Sequence, residues 1–227
     1  MRWNSALILA VAALGAPRAL LGQEQPATPD SLRPIRLAPL TITILRMPLA
    51  TARAPYAVAA VDARREGRAQ AGLALDEALR AVSGVQVDNR YNYALGERIS
   101  IRGFGARAQF GVRGVKVLLD GIPATLPDGQ TTLNHIDMGS LGRVEVVRGP
   151  AASVYGNAAG GVIQLETVRP PAVPIEQELR IVNGANGLLR LQSRTGGQSG
   201  RLSYQANVAR LAYDGYRRSS DARNTQA

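Results

Sequence analysis

Cysteine is absent from the 227 residues, which excludes a disulfide framework, a thiolate metal site and a cysteine nucleophile. A single histidine, His135, leaves too few ligands for a catalytic zinc centre, and a Ser-His-Asp arrangement would need it beside an exposed serine; it reads as a turn or packing residue. Lys116 is the only lysine. The positive charge, +10 in formal terms, is therefore carried almost wholly by arginine, and the arginines are spread over every segment. They form no basic stripe interleaved with aromatics, so nucleic acid is not the expected partner. Aromatics are also scarce, at 4%. No apolar run is long enough to cross a bilayer as a helix; the longest, Ala6–Leu14, falls well short. Nothing in this inventory points to an enzyme, a cofactor or a bound metal, and none is expected.

What is present begins with Arg2 ahead of that short apolar run, the pattern of a secretory signal, with residues 1–22 removed on export. Residues 23–53 read as a flexible leader rich in Pro, Gln, Asp and Thr, a composition that buries little apolar surface. At its end stands an alternating, β-branched run, Leu40, Thr41, Ile42, Thr43, Ile44 and Leu45, closed by Pro48. Two readings stay open from the pattern: a strand offered to the sheet edge of a partner, or the first strand of the domain that follows.

From Pro55 the pattern is that of an α+β unit of short mixed strands with one or two short helices. Tyr56–Val61 predicts a strand. Leu73, Leu75, Ala78, Leu79 and Val82 recur at helical spacing, with Asp76 and Glu77 near the start and Gly84 placed for a left-handed cap. Strands are predicted around Val85–Val87, Arg98–Arg102, Val115–Leu119, Val144–Val147 and Val162–Leu165, with the Asp120-Gly121 pair marking a turn and Ala151–Gly156 a single helical turn.

Five motifs then fall in order: Leu75-Asp76-Glu77-Ala78-Leu79-Arg80 with Ser83-Gly84-Val85; Ile101-Arg102-Gly103-Phe104-Gly105; Leu119-Asp120-Gly121-Ile122-Pro123; Arg143-Val144-Glu145-Val146-Val147-Arg148-Gly149-Pro150; and Ser153-Val154-Tyr155-Gly156 with Ala159-Gly160-Gly161-Val162-Ile163. Together they resemble the plug of TonB-dependent outer-membrane receptors. Gly103, Gly105, Gly121, Gly149, Gly160 and Gly161 mark strand ends where positive backbone dihedrals or close approach exclude a Cβ. Arg102, Glu145 and Arg148 are charges on or beside apolar strands, and enclosed charges need partners. The resemblance implies that such arginines lock the plug to acidic residues, including glutamates of a surrounding barrel wall; the plainer alternative pairs Arg102 and Arg148 with Glu145 inside the plug. It also makes Leu40–Leu45 the TonB box, with TonB, ExbB and ExbD as inner-membrane partners.

The resemblance places the plug at 54–168, followed by a Pro-rich linker at 169–174. Residues 175–227 alternate as strands do: Leu202, Tyr204, Ala206 and Val208 fall on one face, Arg201, Ser203, Gln205 and Asn207 on the other, as in a strand between lipid and a polar lumen. A first strand is expected to start near Glu176 and turn near Gly184, a second to end in a Gly-rich turn, Gly196–Gly200. They resemble the opening of a 22-stranded barrel, of which only an incomplete, antiparallel part is present, so the segment alone is not expected to insert or transport. By this resemblance the parent receptor sits in the outer membrane and gates energised uptake of a scarce small molecule such as a metal-siderophore complex. Ligand contacts are expected on the outward loops at Arg107, Gln109, Asp128 and Gln130. A non-transporting periplasmic binding module and a non-functional receptor fragment are the rival readings.

Overall fold

The computed structural model describes residues 40–88, 93, 96–109 and 111–227. The signal expected at 1–22 and the leader as far as residue 39 lie outside the described residues. In chain order the strands and helices are β1 (Thr41–Ile42), β2 (Leu49–Ala50), β3 (Ala57–Asp62), α1 (Ala63–Glu66), α2 (Asp76–Leu79), β4 (Val85–Asp88), β5 (Arg98–Ile101), β6 (Val112–Arg113), β7 (Val115–Leu119), β8 (Ile122–Pro123), β9 (Gln130–Thr131), β10 (Leu141–Arg148), α3 (Ala152–Tyr155), β11 (Gly161–Thr167), β12 (Glu176–Asn183), β13 (Leu189–Ser199), β14 (Leu202–Tyr213) and β15 (Ala222–Gln226).

A mixed five-stranded sheet in the order β3-β10-β11-β7-β8 forms the centre of the α+β part. β10 runs antiparallel to both β3 and β11, whereas β11 runs parallel to β7. Because successive strand residues point to opposite faces, β10 divides its side chains. Val144 and Val146 enter a core with Leu75, Leu79, Ile163 and Leu165, while Val147 joins Ile42, Ile44 and Val162 on the other side. Arg143 and Glu145 share Val147's parity and therefore its face. The sheet is buried on both faces, which explains why β10 and β11 read as nearly continuous apolar runs.

The helix predicted from Leu73 to Val82 is shorter than its periodicity implies. Only Asp76–Leu79 is α-helical, although Leu75, Leu79 and Val82 all face the core. Gly84 takes the left-handed conformation at φ 75° just beyond it. On the other side the Glu77 carboxylate accepts from the Gly72 and Leu73 amides at 2.7 and 3.1 Å, and these side-chain acceptors hold an irregular approach in place of a longer helix.

Strands β12 to β15 form a separate antiparallel meander, open at both edges among the described residues. Leu179, Ile181, Leu191, Leu202, Tyr204 and Val208 are exposed on its outer face, and Arg190, Gln192 and Arg194 are buried on the face toward the α+β part. The expected turn at Gly196–Gly200 is displaced: β13 continues to Ser199, and Gly196 and Gly197 pair with Gln205 and Tyr204 inside the ladder. A Cβ on Gly197 would overlap the Pro174 carbonyl, so this glycine serves close passage of the linker and not a turn.

Candidate functional site

Glu145 is fully buried, with its side chain inaccessible to solvent. One carboxylate oxygen accepts from the main-chain amides of Thr43 and Ile44, each at 2.8 Å. The other is engaged by Arg143, whose Nε donates at 2.8 Å and whose Nη2 lies at 2.7 Å. Arg143 also donates to the Thr41 carbonyl. A carboxylate taken from water costs several kcal/mol unless paired and hydrogen-bonded; here one guanidinium and two amides meet that requirement together. The spacing is decisive, because residues two apart on a strand share a face.

The segment held this way has little regular pairing. Its β1 makes a two-residue ladder with β2, Thr41 opposite Ala50 and Ile42 opposite Leu49, and the chain then turns, Arg46 N donating to Thr43 O at 2.9 Å. Arg46 sits at φ 66°, an unusual conformation for a side-chain-bearing residue. Its guanidinium lies over the Tyr155 ring, 4.9 Å from the centroid, and the Tyr155 hydroxyl donates to the Ile44 carbonyl. Burial pushes the Tyr155 phenol above its ordinary value of 10.0; Arg46 opposes the rise and Glu145 adds to it. Ile42 and Ile44 are both fully buried, which contributes roughly 2 kcal/mol each. Of the leader expected to be flexible to residue 53, the part from residue 40 on thus has packed partners, since its two isoleucines fall on one face and find an apolar surface.

Arg102 and Arg148 do not join this cluster. The internal triad with Glu145 that the sequence left open is replaced by the Arg143–Glu145 pair. Arg148 donates instead to Ser83 O and Ser83 Oγ at 2.8 and 2.6 Å, and its Nε is buried with no hydrogen-bond partner. Arg102 is exposed, at φ 50°, with its amide bonded to Gly84 O at 2.9 Å. The two guanidinium-bearing residues flank the Ser83–Gly84 turn, and among the described residues neither is paired with a carboxylate.

The motif glycines differ in what they serve. Gly103, Gly105, Gly121, Gly149 and Gly161 have positive φ, and a Cβ on Gly161 would in addition overlap the Val147 carbonyl across the β10–β11 ladder. Gly160 has no such dihedral; there a Cβ would collide with Phe104. The β6–β9 ladder brings the two outward stretches together, Val112 opposite Thr131. Gln130 accepts from Arg113 at 3.2 Å, and its amide donates to Asp128 at 2.9 Å. Arg107, Gln109 and Asp128 are exposed. Among the described residues no hydrogen bond or ion pair joins Arg107 or Gln109 to Asp128 or Gln130.

A second polar cluster joins the α+β part to the meander. Asp137 is buried and accepts from Arg190 at 2.5 Å, Gln192 at 2.9 Å and Asn207 at 2.8 Å. Farther along, Glu178 meets Arg64 at 3.2 Å and also Arg194. Residues 50–162 match the family model described as the TonB-dependent receptor plug domain. The chain belongs to the TonB-dependent receptor family through this plug domain.

Among curated relatives of the plug-bearing chain, a hemin receptor of Yersinia pestis is 32% identical over 170 residues, covering 74% of this chain and 23% of the relative. The vitamin B12 transporter BtuB of Vibrio vulnificus is 29% identical over 165 residues, covering 72% and 25%. The chain therefore spans about a quarter of the length of the curated relatives it matches. Solved structures agree in fold. The ferric yersiniabactin uptake receptor FyuA of Yersinia pestis gives a TM-score of 0.55 at 23% identity, over 70% of this chain and 24% of that one. The pyoverdine outer membrane receptor FpvA of Pseudomonas aeruginosa gives 0.59 at 19%, over 76% and 24%.

Arg143, Tyr155, Asp137 and Arg190 carry no role in the sequence reading. Arg143 was legible as a same-face neighbour two positions before Glu145, and Tyr155 lay within a quoted motif without a stated partner. Asp137 and Arg190 left no local signal, since each acquires meaning only from a residue 53 positions away.

Proposed function

We propose that this chain is the plug-bearing part of an outer-membrane receptor that binds a scarce nutrient, a metal-siderophore or comparable cofactor complex, and gates its uptake. TonB, with ExbB and ExbD, drives the gate by engaging Leu40–Leu45 as the TonB box. One observation carries the reading. The segment's main-chain groups are held by the side chains of Glu145, Arg143 and Tyr155, and only two of its residues belong to a sheet ladder. Such a segment exchanges those few side-chain bonds for a partner's sheet edge without unravelling the five-stranded sheet beneath it, as strand addition requires.

Arg102 and Arg148 suit the locking role. Neither has a carboxylate among the described residues, and the Arg148 Nε is an orphaned buried donor, so glutamates of a complete wall would satisfy both. The relatives' names, hemin receptor and vitamin B12 transporter, support a chelated-metal cofactor as the class of solute. The apolar outer face of β12–β14 would meet outer-membrane lipid.

The test is uptake by the full-length receptor with residues 40–45 deleted. Ligand binding at the cell surface is expected to persist while energised accumulation is lost. Unchanged accumulation would overturn the assignment of the TonB box.

A further inference from the structure

Asp137 lies in a socket shaped for one guanidinium. Arg190 reaches it from β13 and is 3% exposed, beside the buried Gln192. Its Nη2 donates to Asp137 Oδ1 at 2.5 Å and its Nη1 to Gln192 Oε1 at 3.0 Å. The space it fills exists because two plug residues have no side chain. A Cβ on Gly139 would overlap the guanidinium, and one on Gly72 would come within 3.2 Å of Nη1. The Asp137 carboxylate further accepts from the Gly139 amide at 3.3 Å, so the short turn Met138–Ser140 is fixed by the same acid that binds the wall residue.

We infer that Gly72, Asp137 and Gly139 form a docking socket for Arg190 that seats the plug on the wall hairpin β13–β14. Its polarity is the reverse of the one proposed for Arg102 and Arg148: here the plug supplies the acid and the wall the arginine. A carboxylate buried opposite a planar, always-charged fork binds at one orientation, and a plug rotated in its seat would leave both charges buried and unpaired. The socket acts on the sheet face that carries Ile136 and Leu79, opposite the face that carries Ile42 and Ile44. Traction on the TonB-box segment is therefore applied on the side away from this seat. That last consequence rests on the proposed function; the socket itself does not.

The experiment is hydrogen exchange, read by mass spectrometry on peptides spanning 137–141, for the whole chain in detergent. Gly139 has no positive φ, so Gly139→Ala leaves the backbone permissible and removes only the space. We expect about tenfold faster exchange in Gly139→Ala, the size of an overpacking penalty. Arg190→Ala alone gives a comparable or larger increase, and Arg190→Lys restores little, because an ammonium lacks the fork. In the Arg190→Ala background Gly139→Ala adds less than about twofold, since the group it displaces is gone. An equal effect of Gly139→Ala in both backgrounds, or none in either, would overturn the socket. No TonB enters this measurement, so its failure is distinct from failure of the uptake test.

Discussion

On one face of the five-stranded sheet, Leu79, Val144, Val146, Ile163 and Leu165 interlock with no charged group among them. On the other, Ile42 and Ile44 lie over Val147 and Val162 beside a buried glutamate that holds main-chain amides. Apolar packing is non-directional, and it is lost only when a large area is exposed at once. The side-chain bonds from Glu145, Arg143 and Tyr155 to the other segment break one by one, and under the proposed TonB-box reading a partner strand would replace them in kind. Under that reading the first face persists and the second opens and closes. The difference lies in which side of β10 each residue occupies.

The comparison is broken most forcefully at Glu145. Glu145→Ala leaves Arg143 and the Thr43 and Ile44 amides without their acceptor, at a cost of about 3–5 kcal/mol. The expected outcome is exchange of the Thr43 and Ile44 amides faster by two orders of magnitude or more, with β11 still protected. Loss of protection throughout the sheet would show that the two faces are not separable. Next comes Ile163→Ala, which removes a fully buried side chain from the persistent face and costs about 2–4 kcal/mol. Denaturant titration of the chain followed by circular dichroism checks it: the whole transition is expected to shift, and with it the β10–β11 ladder.

Tyr155→Phe sharpens the comparison with the smallest change. Losing the hydroxyl bond to the Ile44 carbonyl costs about 1 kcal/mol, felt at residues 41–46 and not in the core. Its pH dependence follows from the raised phenol. A group whose folded pKa exceeds the unfolded one contributes stability that is complete below the unfolded value and disappears as pH rises through the folded value. The Tyr155–Ile44 bond is therefore intact below pH 10.0, the ordinary value, and weakens above it. A late step is expected in a phenolate absorbance titration, and it should vanish in Tyr155→Phe.

Legibility from sequence varied with how local the cause was. Val115–Leu119 reads as a strand and is one, because a β-branched apolar run closed by Asp120-Gly121 decides its own conformation. Leu73–Val82 reads as a longer helix than the four residues found, because Glu77 and Glu97, the latter accepting from the Leu75 amide at 3.1 Å, impose tertiary hydrogen bonds on the approach. Gly196 and Gly197 read as a turn and lie in a strand, because glycine marks close approach as well as reversal, and the chain that approaches is Pro174. The alternating face of β14 was fully visible, since period two needs no partner to be seen.

The sequence alone determined short mixed strands followed by alternating ones, because periodicity and turn residues act within a few residues, and the resemblance of five ordered motifs named the first part a plug. Only the tertiary structure decided what the charges do. It gave Glu145 to Arg143 and the segment amides, left Arg148 with the Ser83 turn, and joined Asp137 to Arg190. A buried charge takes its energy from whatever the fold places against it, and no local pattern records that.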